Sequence, residues 1–188
     1  MLLEKVKAVE ALFEQLDAEI EAFQSWSTLK CAFGCGKCCY KADIEATILE
    51  FIPFAHFLYT QDRAYDWLEK LKFDSPVCDI LNPGQAGTGL CSEYKHRGLI
   101  CRLFGYSART DKYNKAELVT CTIIKGDQKG QYESAALKVS EGAKIPVMNH
   151  FYMRLHGIDA DLSREFFPIN QAIKRAIEVI LHYYAYRG

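Results

Sequence analysis

The chain has 188 residues, 49% hydrophobic and 25% charged, which is enough for one domain with an apolar core that folds without disulfides. Its 23 basic and 24 acidic side chains give a formal charge of -1, leaving no general electrostatic footprint for nucleic acid or anionic lipid. Acids and lysines interrupt every apolar run from Met1 to Phe23, so neither a signal peptide nor a membrane span is expected, and a reducing cytoplasm is the expected compartment.

Leu2, Val6, Val9, Phe13, Leu16, Ile20 and Phe23 alternate spacings of four and three, which draws one apolar stripe along a first helix ending before residues 25–30. After a cysteine cluster, Asp43 is placed to cap a second helix through Ile44, Ile48, Leu49, Phe51 and Ile52, with Pro53 ending or bending it. A third short helix is expected over residues 62–72. Residues 74–97 hold two prolines and three glycines with Cys78 and Cys91 towards either end, and read as a loop that needs a fastener. The stretches 99–110 and 116–124 can pair as a short hairpin across 111–115. Helix returns in the C-terminal third, where Ile169, Ala172, Ile173, Ala176, Ile177, Ile180, Leu181 and Tyr184 form a stripe behind Pro168. The expected fold is mainly α: a single domain over residues 1–188, whose helices clasp a cysteine-rich, loop-rich centre at about residues 31–125, with at most a short β-hairpin.

All eight cysteines, Cys31, Cys35, Cys38, Cys39, Cys78, Cys91, Cys101 and Cys121, lie in that centre. In a reducing compartment such clustering points to metal ligation or thiol chemistry rather than structural bridges. Thiolate is a soft donor, and four around a tetrahedral ion match structural zinc or an iron–sulfur centre. Gly36 and Lys37 separate Cys35 from Cys38, a gap that lets one turn aim both sulfurs at an ion. Gly34 and Gly36 permit the backbone such a turn needs. Cys38 and Cys39 stand apart, because adjacent side chains diverge and one ion rarely accepts both without strain. They imply two neighbouring metal positions, or one ligand and one thiol with another task. Eight thiols make two four-cysteine sites, or one such site with four cysteines in reserve; the spacing leaves both open. Lys30, Lys37, Lys41, Lys95, Arg97 and Arg102 lie near the cysteines in sequence and can offset thiolate charge. His56, His96, His150, His156 and His182 are scattered and read as surface or hydrogen-bonded residues, although His96 lies between Cys91 and Cys101.

The series CAFGCGKCC, CDIL, CSEYKHRGLICRLF and an isolated Cys121 resembles the YkgJ-type cysteine-cluster family (CxxCxxCC), described as zinc- or iron-chelating. That family has a C-x(2,3)-C-x2-C-C cluster, a C-x-x-L element, a C-x-x-Y-x-x-R-P-x-x-C-R element and a last cysteine. The resemblance covers about residues 31–125 and includes all eight cysteines with Leu81, Tyr94, Arg97 and Arg102. Gly98 departs from it by replacing the proline. The resemblance implies that the eight cysteines are metal ligands and that zinc is the cofactor, with iron or a [4Fe-4S] cluster as alternatives. It also touches flagellin lysine methylases, similar in their cysteine cluster, but no methyl-donor pocket is recognisable here.

The leading expectation is a metal-binding protein whose thiolate-held zinc or iron organises the central loops. The alternatives are an iron–sulfur protein with a redox or enzymatic role and a metal-trafficking or thiol-redox module. No hydrolase or nucleotide-binding motif stands out, so enzymatic status stays open. A metal ion is the partner implied, with neither membrane nor nucleic acid expected and no protein partner or substrate specified. Arg97 and Arg102 read as loop ties rather than anion ligands, and Tyr94 as a ring packed over the site.

Overall fold

A computed structural model describes residues 1–73, 75–113 and 115–186. Position 74 in the expected loop and position 114 in the expected hairpin turn lie outside the described residues. Eight α-helices are present among those described: α1 (Leu2–Ser27), α2 (Ile52–Thr60), α3 (Ala64–Lys70), α4 (Leu99–Leu103), α5 (Thr122–Asp127), α6 (Lys129–Ser140), α7 (Met148–Ile158) and α8 (Ile169–Ala185). Among the described residues, strand is confined to three two-stranded antiparallel pairs. These join β1 (Glu45–Thr47) to β6 (Phe166–Pro168), β2 (Leu81–Pro83) to β3 (Gly89–Cys91), and β4 (Ser107–Thr110) to β5 (Ala116–Val119). The fold is mainly α. No helix among the described residues is long and apolar enough to cross a membrane.

The chain divides into two compact units. The first comprises Met1–Glu10, Phe33–Gly98 and Leu155–Gly188; the second comprises Ala11–Ala32 and Leu99–Arg154. In the first unit α8 buries Ile169, Ala172, Ile173, Ala176, Ile177 and Ile180 along one stripe. It packs most extensively against α2, where the Tyr59 and Tyr184 rings stack with centroids 4.0 Å apart. Pro168 immediately precedes α8, where its missing N–H costs nothing.

The helix expected from Asp43 does not form there. Residues 45–47 are strand β1, paired Ala46 to Phe167 and continued by a 3.0 Å bond from the Ile169 N–H to the Ile44 carbonyl. This long-range pairing overrides the local apolar periodicity. Pro53 lies in the first turn of α2 and starts that helix instead of ending one.

In the second unit Phe23, Leu29, Ala108, Leu118, Ile124, Ala135 and Val139 form one apolar cluster. The expected hairpin is present over shorter bounds, with Ser107 opposite Val119 and Thr110 opposite Ala116. Its flanks are the helices α4 and α5. Asp111 Oδ1 closes the turn, accepting from the backbone N–H groups of Tyr113 and Lys115 at 2.8 Å each. The first helix follows its stripe, burying Val6, Val9, Leu12, Phe13, Leu16, Ile20 and Phe23, and runs beyond its expected end to Ser27.

Candidate metal centre

Three backbone segments of the first unit carry its cysteines and are fastened to one another. The cluster segment begins with Gly34 at φ 72° and Gly36 at φ 54°, left-handed positions that a side chain would occupy at a cost of about 1–2 kcal/mol. Gly36 leads into a 3-10 turn over Lys37–Tyr40, closed by the Cys39 N–H on the Gly36 carbonyl at 2.9 Å. Gly89 at the start of β3 donates its N–H to the Gly34 carbonyl at 3.0 Å. The Tyr40 hydroxyl donates to the Thr88 carbonyl at 2.9 Å. The glycines thus serve the conformation their spacing suggests, and also admit the β3 backbone.

Cys78 is tied to the same turn through its N–H, which donates to the Cys39 carbonyl at 3.0 Å. The Leu81 N–H caps the Cys78 carbonyl at 2.9 Å, and Leu81 pairs with Cys91 across β2 and β3. Asn170 of α8 clamps the approach to Cys78. Its Oδ1 accepts from the Asp79 N–H at 2.9 Å, and its Nδ2 donates to the carbonyls of Val77 at 2.8 Å and Ser75 at 3.2 Å. No sequence motif marks Asn170; its distance along the chain conceals a direct part in shaping the cysteine loop. Arg63 pairs with Glu93 at 2.9 Å, anchoring the segment just beyond Cys91.

The Cys38 and Cys39 sulfurs lie 3.9 Å apart. The expected divergence of adjacent side chains is therefore corrected: the tight 3-10 turn brings both thiols together. Four ligands about 2.3 Å from zinc have a sulfur–sulfur edge of about 3.8 Å, so the observed separation is compatible with one shared ion. The neighbouring Cys78 and Cys91 thiols push the Cys39 thiol up, and Cys38 does the same to Cys91. Cys39 and Cys78 are thus neighbours through the Cys78 N–H on the Cys39 carbonyl. Cys78 is buried, Cys39 and Cys91 are half-buried, and Cys38 is exposed as a residue.

This crowding opposes thiolate formation without a counter-charge. The hydrogen bond to Cys39, then burial and the neighbouring thiol, push the Cys38 thiol far above its ordinary range. The Cys38 bond pulls the Cys39 thiol down, but contact with Cys78, burial and the charges of Cys78 and Cys91 outweigh it, leaving the thiol pushed up to about 12. Burial also raises Cys91, against the lowering effects of the Glu93 N–H and Arg97.

Cys35 is half-buried in the same unit, between the two fastened glycines. Cys31, Cys101 and Cys121 belong to the second unit. The Cys31 N–H donates to the Tyr106 hydroxyl at 2.6 Å, Cys101 lies within α4, and Cys121 Sγ caps α5 by accepting from the Ile124 N–H at 3.3 Å. None of the eight cysteines is in a disulfide.

The remaining motif residues have identifiable contacts. Arg102 pairs with Asp17 and lies 4.7 Å over the Phe13 ring, joining α4 to α1 where a tie between cysteine loops was expected. Arg97 lies 3.6 Å over Tyr94 and donates to its carbonyl at 3.3 Å. Tyr94 itself is exposed. His96 stacks on Phe57 with centroids 4.1 Å apart, while His56 meets Tyr184 and His156 meets Ser163 through hydrogen bonds.

Among the described residues, no group of three or more His, Cys, Asp or Glu side chains stands ready to hold a metal ion. The thiol nest fits a soft cation by donor chemistry and by the 3.9 Å separation of its Cys38–Cys39 sulfur pair, but its side chains must turn towards a common centre to bind one. This thiol-rich nest in a mainly α chain is the feature of a cysteine-cluster metal-binding domain. Residues 30–122 match the CxxCxxCC family, whose description reads "Putative zinc- or iron-chelating domain", and this segment belongs to that family. Membership supports metal binding as the general class of activity. No match was found among curated proteins or solved structures.

Proposed function

We propose that this chain is a metal-binding protein that holds one zinc or iron ion through the thiolates of Cys38, Cys39, Cys78 and Cys91. The observation that carries the reading is the joining of their three backbone segments by direct hydrogen bonds, with two sulfurs already 3.9 Å apart. When bound, the cation supplies the positive charge that crowded thiols lack and cross-links the three segments. Cys78 forms the buried floor, Cys39 and Cys91 the walls, and Cys38 the exposed rim. Arg97 supplies a nearby positive charge to Cys91. Asn170 positions the Cys78 loop without contributing a sulfur. A structural thiolate site contributes on the order of 10 kcal/mol to folding, so the cysteine loops depend on it. A reducing compartment suits reduced thiols.

An iron–sulfur cluster is the competing occupant, because the same four thiolates satisfy cluster ligation and would give the protein a redox or enzymatic role. Elemental analysis of protein prepared without oxygen, combined with its visible spectrum, separates the readings. One zinc or iron per chain in a sample without cluster absorption is the expected result. Several irons with inorganic sulfide and a broad visible band would assign the cluster instead, and metal-free protein with unchanged folding would overturn both.

A further inference from the structure

Apolar side chains stand in water where the fastened segments of the first unit meet. Phe33 is 94% exposed. It precedes Gly34, whose carbonyl accepts from the Gly89 N–H, while Leu90, 46% exposed, follows Gly89. The two apolar side chains thus flank one backbone contact, which fixes their place without needing a phenyl ring. Tyr94, 62% exposed, opens the short turn beyond Cys91 and carries Arg97 3.6 Å over its ring. Positive charge gathers beside them. Residues 33–42 and 88–98 contain Lys37, Lys41, Lys95 and Arg97 against a single carboxylate, Glu93, and Glu93 is already paired with Arg63. Lys37 and Lys41 are exposed at the two ends of the 3-10 turn and are in no ion pair among the described residues.

We infer that this surface docks an acidic segment of a partner protein, whose apolar side chain covers Phe33 while its carboxylates pair with Lys37 and Lys41. An aromatic anchor with a charged rim is the arrangement that concentrates binding energy between proteins, and the unpaired lysines select an acidic partner by charge complementarity. Nucleic acid fits the surface less well. The chain carries a formal charge of -1, so it lacks long-range attraction for a polyanion. Arg97 also covers one face of Tyr94, where a base would stack. The docking surface does not depend on which thiols hold the ion.

Selection from a displayed random-peptide library, with the full chain as purified for bait, tests the docking surface. Enriched peptides should carry aspartate or glutamate beside an aromatic or aliphatic residue. By fluorescence anisotropy, a labelled enriched peptide should bind roughly tenfold or more weakly to Phe33→Ala and to the double variant Lys37→Glu, Lys41→Glu. Its affinity for wild type should fall as salt is raised. Metal content and far-UV circular dichroism should match wild type in both variants, which separates loss of docking from loss of the metal site. No enrichment, enrichment of basic peptides, or wild-type affinity in either variant overturns the proposal. Tighter binding of a single-stranded oligonucleotide than of the peptide, or a concentration-dependent dimer that Phe33→Ala abolishes, overturns it too by assigning the surface to another occupant.

Discussion

Gly36 meets the backbone of Gly89 with no room for a side chain: a Cβ there would stand 2.6 Å from the Gly89 carbonyl oxygen. The same residue has φ 54°, so two separate penalties oppose its substitution. Gly36→Ala should cost about 1–3 kcal/mol by overpacking and backbone strain, and should lower metal occupancy by parting the cluster turn from β3. Denaturant unfolding and metal analysis of the variant provide the check. Wild-type values in both would show that the contact does not shape the site.

Asn170→Ala should free the loop leading to Cys78. Three hydrogen bonds disappear, at an expected stability cost of about 1–3 kcal/mol. Metal affinity should fall although no thiol has changed. A competition titration with a chromogenic chelator measures the affinity, and amide exchange around residues 75–79 should rise in parallel. Unchanged affinity with raised exchange would limit Asn170 to a packing role.

The cysteine cluster was legible in the sequence because each sulfur must be supplied by a cysteine and the paired glycines reveal a tight turn. The long stripes of α1 and α8 were legible because burial repeats at helical spacing. The β1 strand was not, since its pairing with β6 is a long-range event that local apolar periodicity disguises as helix. Nor was the convergence of Cys38 with Cys39, which follows from the geometry of one 3-10 turn. Asn170 was hidden because its hydrogen bonds join positions far apart in the chain.

At Gly98, where the resembled pattern carries proline, a side chain would be crowded. A Cβ there would lie 2.8 Å from Phe51 Cζ and 3.2 Å from Glu50 Oε2. Both neighbours are fully buried. Gly98→Pro should therefore destabilise the first unit by about 1–3 kcal/mol, measured as a lower urea midpoint. A midpoint at or above wild type would show that Phe51 yields without cost.

The Lys5–Asp159 pair should contribute to stability in a pH-dependent way. Burial acts to raise the Asp159 carboxyl, but the Lys5 bond, the N–H groups of Leu162 and Asp161, and the Lys5 charge together lower it from the ordinary 3.8. Its stabilisation is thus fully present above that ordinary value and is lost as pH falls through the lower folded value. Asp159→Asn removes the charge while its Oδ1 can still accept the turn bonds. Unfolding of wild type and variant, each as purified with its metal, should differ by about 1–2 kcal/mol at neutral pH and converge in acid; a constant difference would assign the effect to something other than this titration.

X-ray absorption at the edge of the metal retained by oxygen-free full-length protein tests the central claim most directly. The account predicts a mononuclear first coordination sphere of four sulfurs at about 2.3 Å for zinc, and loss of one sulfur when Cys78 is replaced by serine. A sphere of only oxygen and nitrogen, or one unaffected by that substitution, would contradict it.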